Sequence, residues 1–265
     1  MKFKWLIALL LVAVLGEFGF NYLRSHRTVF GVCLPNPTDH IGLMTSSAGT
    51  RTVKVLFVGN SLTFTNDLPG TLIRVADSDP QNPVKLVVGS STSWDATLRQ
   101  LYADGCTLKR IRGEHFDTVV LQEHSFFWFA GSEADAREAL ANWANAVRQS
   151  GSAPEYLEPW VSGSGEDPGY TGVADMKSAT LANAQPYGVP IVRVGEAFAE
   201  AGSLQGVPVL YAADNHHPSE AGTYLAALVF FHHFTGELAE RATWRPESVS
   251  ADQAALLAHI ADEYP

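Results

Sequence analysis

The chain has 265 residues, of which 46% are hydrophobic and 17% are charged. This balance is typical of a globular protein and excludes an extensively disordered chain. The formal net charge is −10 at pH 7, and the sequence contains no basic patch. The charge therefore argues against a nucleic-acid partner and against adhesion to an anionic membrane through electrostatics alone.

The first residues have the pattern of a targeting segment. Lys2 and Lys4 precede an apolar run over residues 5–15, and Glu17 interrupts the apolar stretch beyond it. A membrane span normally needs about 20 mostly apolar residues, so residues 1–27 are interpreted as a signal peptide or, alternatively, as an N-terminal membrane anchor. We expect an exported protein that is periplasmic, extracellular or membrane-anchored.

Residues 28–52 contain Pro, Gly, Ser and Thr and are interpreted as a linker, which leaves one domain over residues 53–265. The two cysteines, Cys33 and Cys106, lie on opposite sides of this boundary. Export would permit a disulfide, but the sequence does not decide whether the two cysteines pair. Both are interpreted as structural.

Within the domain, short apolar runs alternate with amphipathic segments. Strands are predicted at residues 53–58, 84–88, 117–121, 155–158 and 190–194. Helices are predicted at residues 67–76, 133–149, 175–184, 196–201, 218–234 and 251–261. Because parallel neighbours need crossover helices, this order predicts a three-layer α/β/α fold with a five-stranded parallel sheet, arranged like that of flavodoxin.

The first predicted strand stops abruptly at Gly59, and Asn60 and Ser61 follow at once. Open α/β sheets bind ligands at the carboxyl ends of their strands, where a loop can expose a side chain on a fixed backbone. Ser61 is therefore a candidate nucleophile. A serine at this position also commonly caps the next helix, so the turn alone does not distinguish catalysis from capping.

A serine nucleophile needs a base and a group that orients the base. Residues 214–219 supply a carboxylate, Asp214, and two candidate bases, His216 and His217, at a plausible spacing. Metal ligation by these side chains, or by His232 and His233, is less favoured, because adjacent histidines on a helix point in different directions.

Taken together, residues 59–62 and residues 214–219 resemble the two end motifs of the SGNH hydrolases, also called GDSL-type hydrolases. That family uses a serine in a Gly-Asp-Ser or Gly-Asn-Ser turn and an aspartate three residues before a histidine. The resemblance implies that Ser61 is the nucleophile, His217 the general base and Asp214 the group that orients the imidazole.

The same resemblance implies an oxyanion hole with three donors: the N–H of the serine, a glycine N–H after the second strand, and an asparagine side chain after the third. Ser61 and Gly89 match by position, and Gly89 opens a predicted loop over residues 89–93. The third strand is followed by Gln122 instead of asparagine. Its amide sits on a stem one methylene longer, and we expect it to serve as the replacement donor.

This departure indicates an outlying, poorly characterised subgroup of the family. Three parts of the sequence also resemble segments of that subgroup: residues 119–123, Trp160 and residues 217–225. Asn60, Glu123 and Trp160 are candidate residues of the substrate cleft. Trp160 is equally compatible with the core, and polar residues at a strand end, such as Glu123, more often make structural hydrogen bonds.

The resemblance implies an esterase that works through an acyl-enzyme, with a small-molecule or glycan ester as substrate. O-acylated glycans are an inference from fold and expected location. No cofactor, metal or nucleic acid is expected. The alternative is a catalytically silent carbohydrate-binding or envelope-interaction domain on the same fold, although such a domain has no physical need to keep Ser61, Asp214 and His217 together.

Overall fold

A computed structural model of the chain describes residues 28–29, 32–33, 38–40, 42–124, 133–162 and 172–265. The predicted signal peptide or anchor, residues 1–27, lies outside these described residues. Within the described ranges, no helix has the length and apolar character that a membrane crossing requires.

The strands are β1 (Thr28–Val29), β2 (Val32–Cys33), β3 (Met44–Thr45), β4 (Arg51–Gly59), β5 (Val84–Thr92), β6 (Thr118–Leu121), β7 (Ala153–Leu157) and β8 (Ile191–Val192). The helices are α1 (Ser61–Phe64), α2 (Leu68–Ser78), α3 (Leu98–Asp104), α4 (Cys106–Glu114), α5 (Glu133–Gln149), α6 (Val173–Ala184), α7 (Val194–Ser203), α8 (Glu220–Thr235) and α9 (Ala251–Asp262). Two short 3₁₀ turns lie at Gln185–Tyr187 and Ala239–Arg241.

The main sheet has six strands in the order β3-β5-β4-β6-β7-β8. The last five of these pair in parallel, whereas β3 runs antiparallel to β5. The parallel sheet and the α/β fold are therefore confirmed, and the order of its five strands, 2-1-3-4-5 by appearance in the chain, is that of flavodoxin. The predicted count of five strands for the whole sheet is wrong, because β3 adds an antiparallel edge.

Both faces of the sheet are covered, as the uninterrupted apolar run of β4 requires. Val55 and Phe57 face a core formed with α2, α7, α8 and α9. Leu56 and Val58 face a second core formed with α3, α4 and α5. All four side chains are at most 1% exposed. Successive β4 residues thus anchor the strand in both layers and fix the position of its carboxyl end.

The strand β5 is longer than predicted. It continues through Thr92, so that Gly89 pairs with Leu56 and Thr92 pairs with Gly59. The buried hydroxyls of this extension find partners: Ser91 Oγ lies 2.7 Å from Thr107 Oγ1, and Thr92 Oγ1 donates to the Thr38 carbonyl at 2.7 Å. A polar Gly-Ser run can therefore continue as a strand, and the loop predicted at residues 89–93 begins only after Thr92.

The described part of the predicted linker belongs to the domain. Met44 and Thr45 pair with β5, and Ser46 exchanges two hydrogen bonds with Leu86, its N–H donating at 2.9 Å and its Oγ accepting at 2.8 Å. Residues 38–40 continue alongside β5 towards its carboxyl end, where the His40 N–H donates to Ser90 Oγ at 3.0 Å. The domain boundary at residue 53 is therefore placed too late.

A disulfide joins Cys33, at the end of the β1–β2 hairpin, to Cys106, the first residue of α4. The two Cα atoms are 5.5 Å apart, and the cysteines are separated by 73 residues in sequence. The sequence left this pairing open. The bond fastens the N-terminal segment to the helix layer that packs behind β5.

Breaking this disulfide should destabilise the domain, because it closes a long loop in the unfolded chain. The chain-entropy model gives about 4 kcal/mol for such a loop, which corresponds to a decrease in Tm of about 10 °C for a domain of this size. The measurement is a thermal melt of the wild type and of a Cys33→Ser/Cys106→Ser variant, each with and without reductant. Reductant should lower the Tm of the wild type and leave the Tm of the variant unchanged. A wild type whose Tm does not change with reductant would contradict the expectation.

Candidate active site

The turn after β4 is built by Asn60, which caps the short helix α1. Its Oδ1 accepts the Leu62 N–H at 3.1 Å, and its Nδ2 donates to the Ala96 carbonyl at 3.0 Å. Asn60 is only 2% exposed. The structure therefore corrects its assignment to the substrate cleft: the side chain holds the turn and the neighbouring loop together from inside.

Gln122 supports the same turn. Its Oε1 accepts the Asn60 N–H at 2.9 Å and the Thr63 hydroxyl at 3.0 Å, and its Nε2 donates to the Glu123 carbonyl at 2.6 Å. The backbone N–H can only donate, which fixes the orientation of the amide. A Cβ on Gly59 would lie 2.4 Å from this Oε1, so only glycine fits before Asn60. Both ends of the amide are thus engaged in the interior, and the expectation that Gln122 is an oxyanion donor is corrected.

The structure also corrects the assignment of Gly89 as an oxyanion donor. It pairs with Leu56, three residues before the pair formed by Thr92 and Gly59 at the carboxyl ends of the strands. At a rise of about 3.3 Å per residue, it lies roughly 10 Å short of the end of the strand. The loop that does lie beside the turn is residues 93–97, where the Ser93 N–H donates to the Gly59 carbonyl at 3.1 Å.

The base comes from a tight turn between α7 and α8. The Ala212 N–H donates to the His217 carbonyl at 2.8 Å, and Asn215 adopts a left-handed conformation with φ of 56°. Ser219 then caps α8 by accepting the Gly222 N–H at 3.2 Å. A Cβ on Gly222 would lie 2.2 Å from the Leu210 carbonyl oxygen, so glycine allows α8 to start close against this turn.

The structure brings the three predicted catalytic residues together. His217 Nε2 lies 2.9 Å from Ser61 Oγ, and His217 Nδ1 lies 2.6 Å from Asp214 Oδ2. Because a carboxylate only accepts, Nδ1 carries the proton, and Nε2 of the neutral ring is the acceptor for the Ser61 hydroxyl. This is the geometry in which an imidazole can remove the proton of a serine.

Asp214 is ionised, which both its partial exposure to solvent (51% of the side chain) and its hydrogen bonds favour. The hydrogen bond from the His217 ring is the main cause that lowers the pKa of Asp214 to about 2, and the N–H groups of His216 and His217 add to it. Both N–H groups donate to Asp214 Oδ1 at 3.0 Å. The carboxylate thus fixes the backbone of the turn as well as the imidazole of His217.

Trp160 holds this turn from the core side. Its Nε1 donates to the His216 carbonyl at 3.0 Å, and its ring stacks on Phe198 with centroids 4.4 Å apart. Trp160 is 2% exposed, so it belongs to the core and not to the substrate cleft. The sequence left open whether Trp160 lines the substrate cleft or packs in the core, and packing in the core is correct. In addition, its indole N–H restrains His216, the residue beside His217.

Glu123 is wholly buried under the loop at residues 93–97 and does not line a cleft. Its Oε1 accepts the N–H groups of Leu98 at 3.0 Å and His124 at 2.8 Å, and its Oε2 has no hydrogen-bond partner among the described residues. Burial raises the pKa of Glu123 to about 7. His124 in turn places Nε2 2.7 Å from Asp95 Oδ1 in the same loop. These two residues therefore fasten the loop that flanks Ser61.

Asn66 is a residue of the site that the sequence analysis missed. Its Nδ2 donates to the Pro218 carbonyl at 2.8 Å and to Thr223 Oγ1 at 3.3 Å, and so connects the nucleophile segment to the residue after His217. It adopts a left-handed conformation with φ of 54°. The Asn-Asp pair just before a helix start was a usable signal, because both residue types tolerate this conformation. In the part of the chain that the structure covers, no group of three side chains suits a metal ion.

Comparisons with known proteins agree with this geometry at the level of the fold. No protein-family model and no curated protein matches the sequence. A protein from Slackia heliotrinireducens assigned to the SGNH hydrolases is similar in structure with a TM-score of 0.57 and 25% identity, over 71% of this chain and 100% of its own. A DUF4886 family protein from Bacteroides uniformis aligns with a TM-score of 0.64 and 17% identity, over 80% of this chain and 94% of its own.

A third similar structure is a mutant of Axe2, an acetyl-xylooligosaccharide esterase from a Geobacillus species. It aligns with a TM-score of 0.53 and 17% identity, over 72% of this chain and 96% of its own. These likenesses define the class of fold: the chain has the flavodoxin-like α/β/α fold of the SGNH hydrolases.

Replacing Gln122 with methionine tests its supporting role. Gln122→Met keeps the length of the side chain but leaves the buried Asn60 N–H without its acceptor, which should cost about 1–3 kcal/mol of unfolding free energy. We expect a decrease in Tm of roughly 2–10 °C, measured by calorimetry. Gln149→Met, the same change at an exposed position, is the control and should leave Tm unchanged. A Gln122→Met protein with wild-type Tm but a greatly reduced kcat would instead indicate an oxyanion donor.

Trp160→Phe separates the hydrogen bond of the indole from its packing. Phenylalanine keeps an aromatic ring on Phe198 but cannot donate to the His216 carbonyl, so the turn that carries His217 should become less well positioned. We expect kcat to fall about tenfold with little change in KM, because small misplacements of a catalytic group are costly. Tyr224→Phe is the control: it also keeps an aromatic ring in the core and removes a donor, in this case to the Trp244 carbonyl. Equal decreases in kcat for both variants would contradict a positioning role.

Proposed function

We propose that this protein is an exported serine esterase in which Ser61, His217 and Asp214 form the catalytic triad. The observation that carries the proposal is the continuous contact from Ser61 Oγ to His217 Nε2 at 2.9 Å and from His217 Nδ1 to Asp214 Oδ2 at 2.6 Å. This geometry also favours an enzyme over a silent binding domain, because binding alone does not require a serine, an imidazole and a carboxylate in line.

In the first step Ser61 Oγ attacks the ester carbonyl while His217 Nε2 takes the hydroxyl proton. The imidazole becomes positively charged, and the Asp214 carboxylate stabilises it through Nδ1–H. Asp214 is suited to this role because its pKa of about 2 keeps it ionised over the whole range in which a serine esterase works. His217 then gives its proton to the departing alcohol, and the acyl group remains on Ser61.

The second step releases the acid. His217 removes a proton from water, the resulting hydroxide attacks the acyl-enzyme, and the proton returns to Ser61 as the ester bond breaks. Atoms and charges balance with water as the only co-reactant.

The negative charge that develops on the carbonyl oxygen needs donors near Ser61. Ser61 is the first residue of α1, so its own N–H has no acceptor within that helix and is the first donor. The second comes from the backbone N–H groups at positions 94 and 95, in the loop that Gly59 and Asn60 hold beside the turn by accepting the Ser93 N–H and by donating to the Ala96 carbonyl. This loop replaces the donors expected from Gly89 and Gln122.

For the substrate we propose an ester of a glycan. A structural neighbour acts on acetylated xylo-oligosaccharides, and the net charge of −10 disfavours strongly anionic substrates. Export is supported by the disulfide between Cys33 and Cys106, because disulfides persist in oxidising compartments. Residues 1–27 would direct this export as a signal peptide or, alternatively, as an N-terminal membrane anchor.

The nucleophile and base can be tested before the substrate is known. A fluorophosphonate probe should label Ser61, and Ser61→Ala should abolish both labelling and hydrolysis of a small aryl ester. His217→Ala should lower kcat by about 10³-fold or more, because the serine then has no base. His216→Ala is the matched control and should cost much less.

Two results would overturn this assignment. Labelling at another serine would remove Ser61 as the nucleophile, and equal losses in the two histidine variants would leave His217 without a special role. Peptide mass spectrometry of the labelled protein decides the first question, and steady-state kinetics of correctly folded variants decides the second.

A further inference from the structure

His40 lies in the segment before β3, yet its ring contacts the segment that follows the nucleophile. Its Nε2 lies 2.6 Å from Asp67 Oδ1, across 27 residues of sequence. Because an ionised carboxylate only accepts, Nε2 carries the proton and donates. This hydrogen bond is the main cause that raises the pKa of His40 above its ordinary value. The pair therefore joins the N-terminal segment to the start of α2.

The backbone of His40 is fixed on both sides of this ring. Its N–H donates to Ser90 Oγ at 3.0 Å, and its carbonyl accepts a hydrogen bond from Arg110 Nη2 at 3.0 Å. Ser90 belongs to β5, and Arg110 belongs to α4, whose first residue forms the disulfide with Cys33. His40 is thus held by the sheet and by the helix layer, and its ring reaches Asp67 from a fixed base.

Asp67 and Asn66 form the turn between the nucleophile helix α1 and α2. Both adopt a left-handed conformation, with φ of 54° for Asn66 and 56° for Asp67. Two successive non-glycine residues in this conformation are unfavourable and persist where surrounding contacts enforce them. The Asp67 N–H donates to the Phe64 carbonyl in α1 at 3.0 Å, and its Oδ1 accepts the Gly70 N–H in α2 at 3.0 Å. Asp67 thus connects the two helices, and the ring of His40 restrains it from the side.

Asn66 connects this turn to the segment that carries the base. Its Nδ2 donates to the Pro218 carbonyl at 2.8 Å, and Pro218 directly follows His217. The backbone conformation of Asn66 sets the direction of this side chain, so a change in the turn would move the donor away from Pro218. A continuous series of contacts therefore runs from His40 through Asp67 and Asn66 to the residue beside the base.

We propose that His40 is a positioning residue of the esterase site: its ring holds the turn at Asn66 and Asp67 in the conformation that keeps Ser61 and His217 in contact. The proposal rests on the esterase function proposed above and adds a residue that does not touch the substrate. The two paired side chains are 36% and 34% exposed. A pair of this kind adds little to the stability of a fold, so its loss should appear in kcat and hardly in Tm.

The test compares two variants of His40 in the full-length protein, with a small aryl acetate as substrate. His40→Ala removes the donor to Asp67 and should lower kcat about tenfold with little change in KM, because the nucleophile and the base lose their alignment. His40→Gln keeps an N–H donor at the position of Nε2 and should restore most of kcat. The Tm of each variant should stay within about 4 °C of the wild type.

His259→Ala is the matched control. It removes a ring whose Nδ1 lies 3.2 Å from Glu240 Oε1 in an exposed pair on α9, and it should change neither kcat nor KM. An unchanged kcat in His40→Ala would overturn the positioning role. An equal loss of kcat in His40→Ala and His40→Gln would also overturn it, because the donor to Asp67 would then not be the group that matters.

A measurement without substrate keeps this proposal separate from the esterase function. Long-range ¹H–¹⁵N NMR of the histidine rings detects the contact between Ser61 and His217, because Ser61→Ala removes the donor and should shift the Nε2 signal of His217. His40→Ala should move this signal in the same direction, whereas His40→Gln and His259→Ala should leave it in place. That pattern supports the positioning role even if the protein hydrolyses no ester. If Ser61 is labelled and active but His40→Ala changes neither kcat nor the signal, the positioning role is wrong and the esterase assignment stands.

Discussion

The parallel pairing of β4 with β5 on one side and with β6 on the other is the constraint on which the site depends. Because Gly59 pairs with Thr92 and Val58 with Leu121, the three strands end level with one another. The residues that come next are then within hydrogen-bonding distance across the sheet edge. The buried Asn60 N–H and Thr63 hydroxyl thus obtain an acceptor, Gln122 Oε1, from the residue after a neighbouring strand, where an unpaired group would cost about 1–3 kcal/mol.

The imidazole reaches the serine by a separate route. The turn that carries His217 is not part of the sheet, yet it is fixed by Asp214 from within, by the indole of Trp160 from the core and by Asn66 from the nucleophile segment. Two independent supports, the sheet edge and this turn, therefore meet at a single hydrogen bond between a hydroxyl and a ring nitrogen. A site of this kind is preorganised before substrate arrives, which is what general-base catalysis requires.

Sequence patterns located the five parallel strands and most of the longer helices, and they selected Ser61, His217 and Asp214, which the fold brings into contact. Each of these depends on a short segment: an apolar run, a turn motif, or an Asp three residues before a His. They failed where the outcome depends on distant partners. Gly89 could not be placed, because β5 extends through Thr92 only with hydroxyl partners from residues 38–40 and α4. The role of Gln122 and the disulfide were likewise set by contacts between segments far apart in the chain, which no local pattern records.

The two edges of the sheet have a consequence for how this protein can associate. An exposed strand edge is a template for pairing with another chain. Here β3 and residues 38–40 run along β5 on one side, and β8, on the other, is only two residues long. The described sheet thus offers no long unpaired edge for pairing with a second copy. Since Cys33 precedes the cover over β5 in the chain, we expect reduction of its bond to Cys106 to make such edge-to-edge pairing easier.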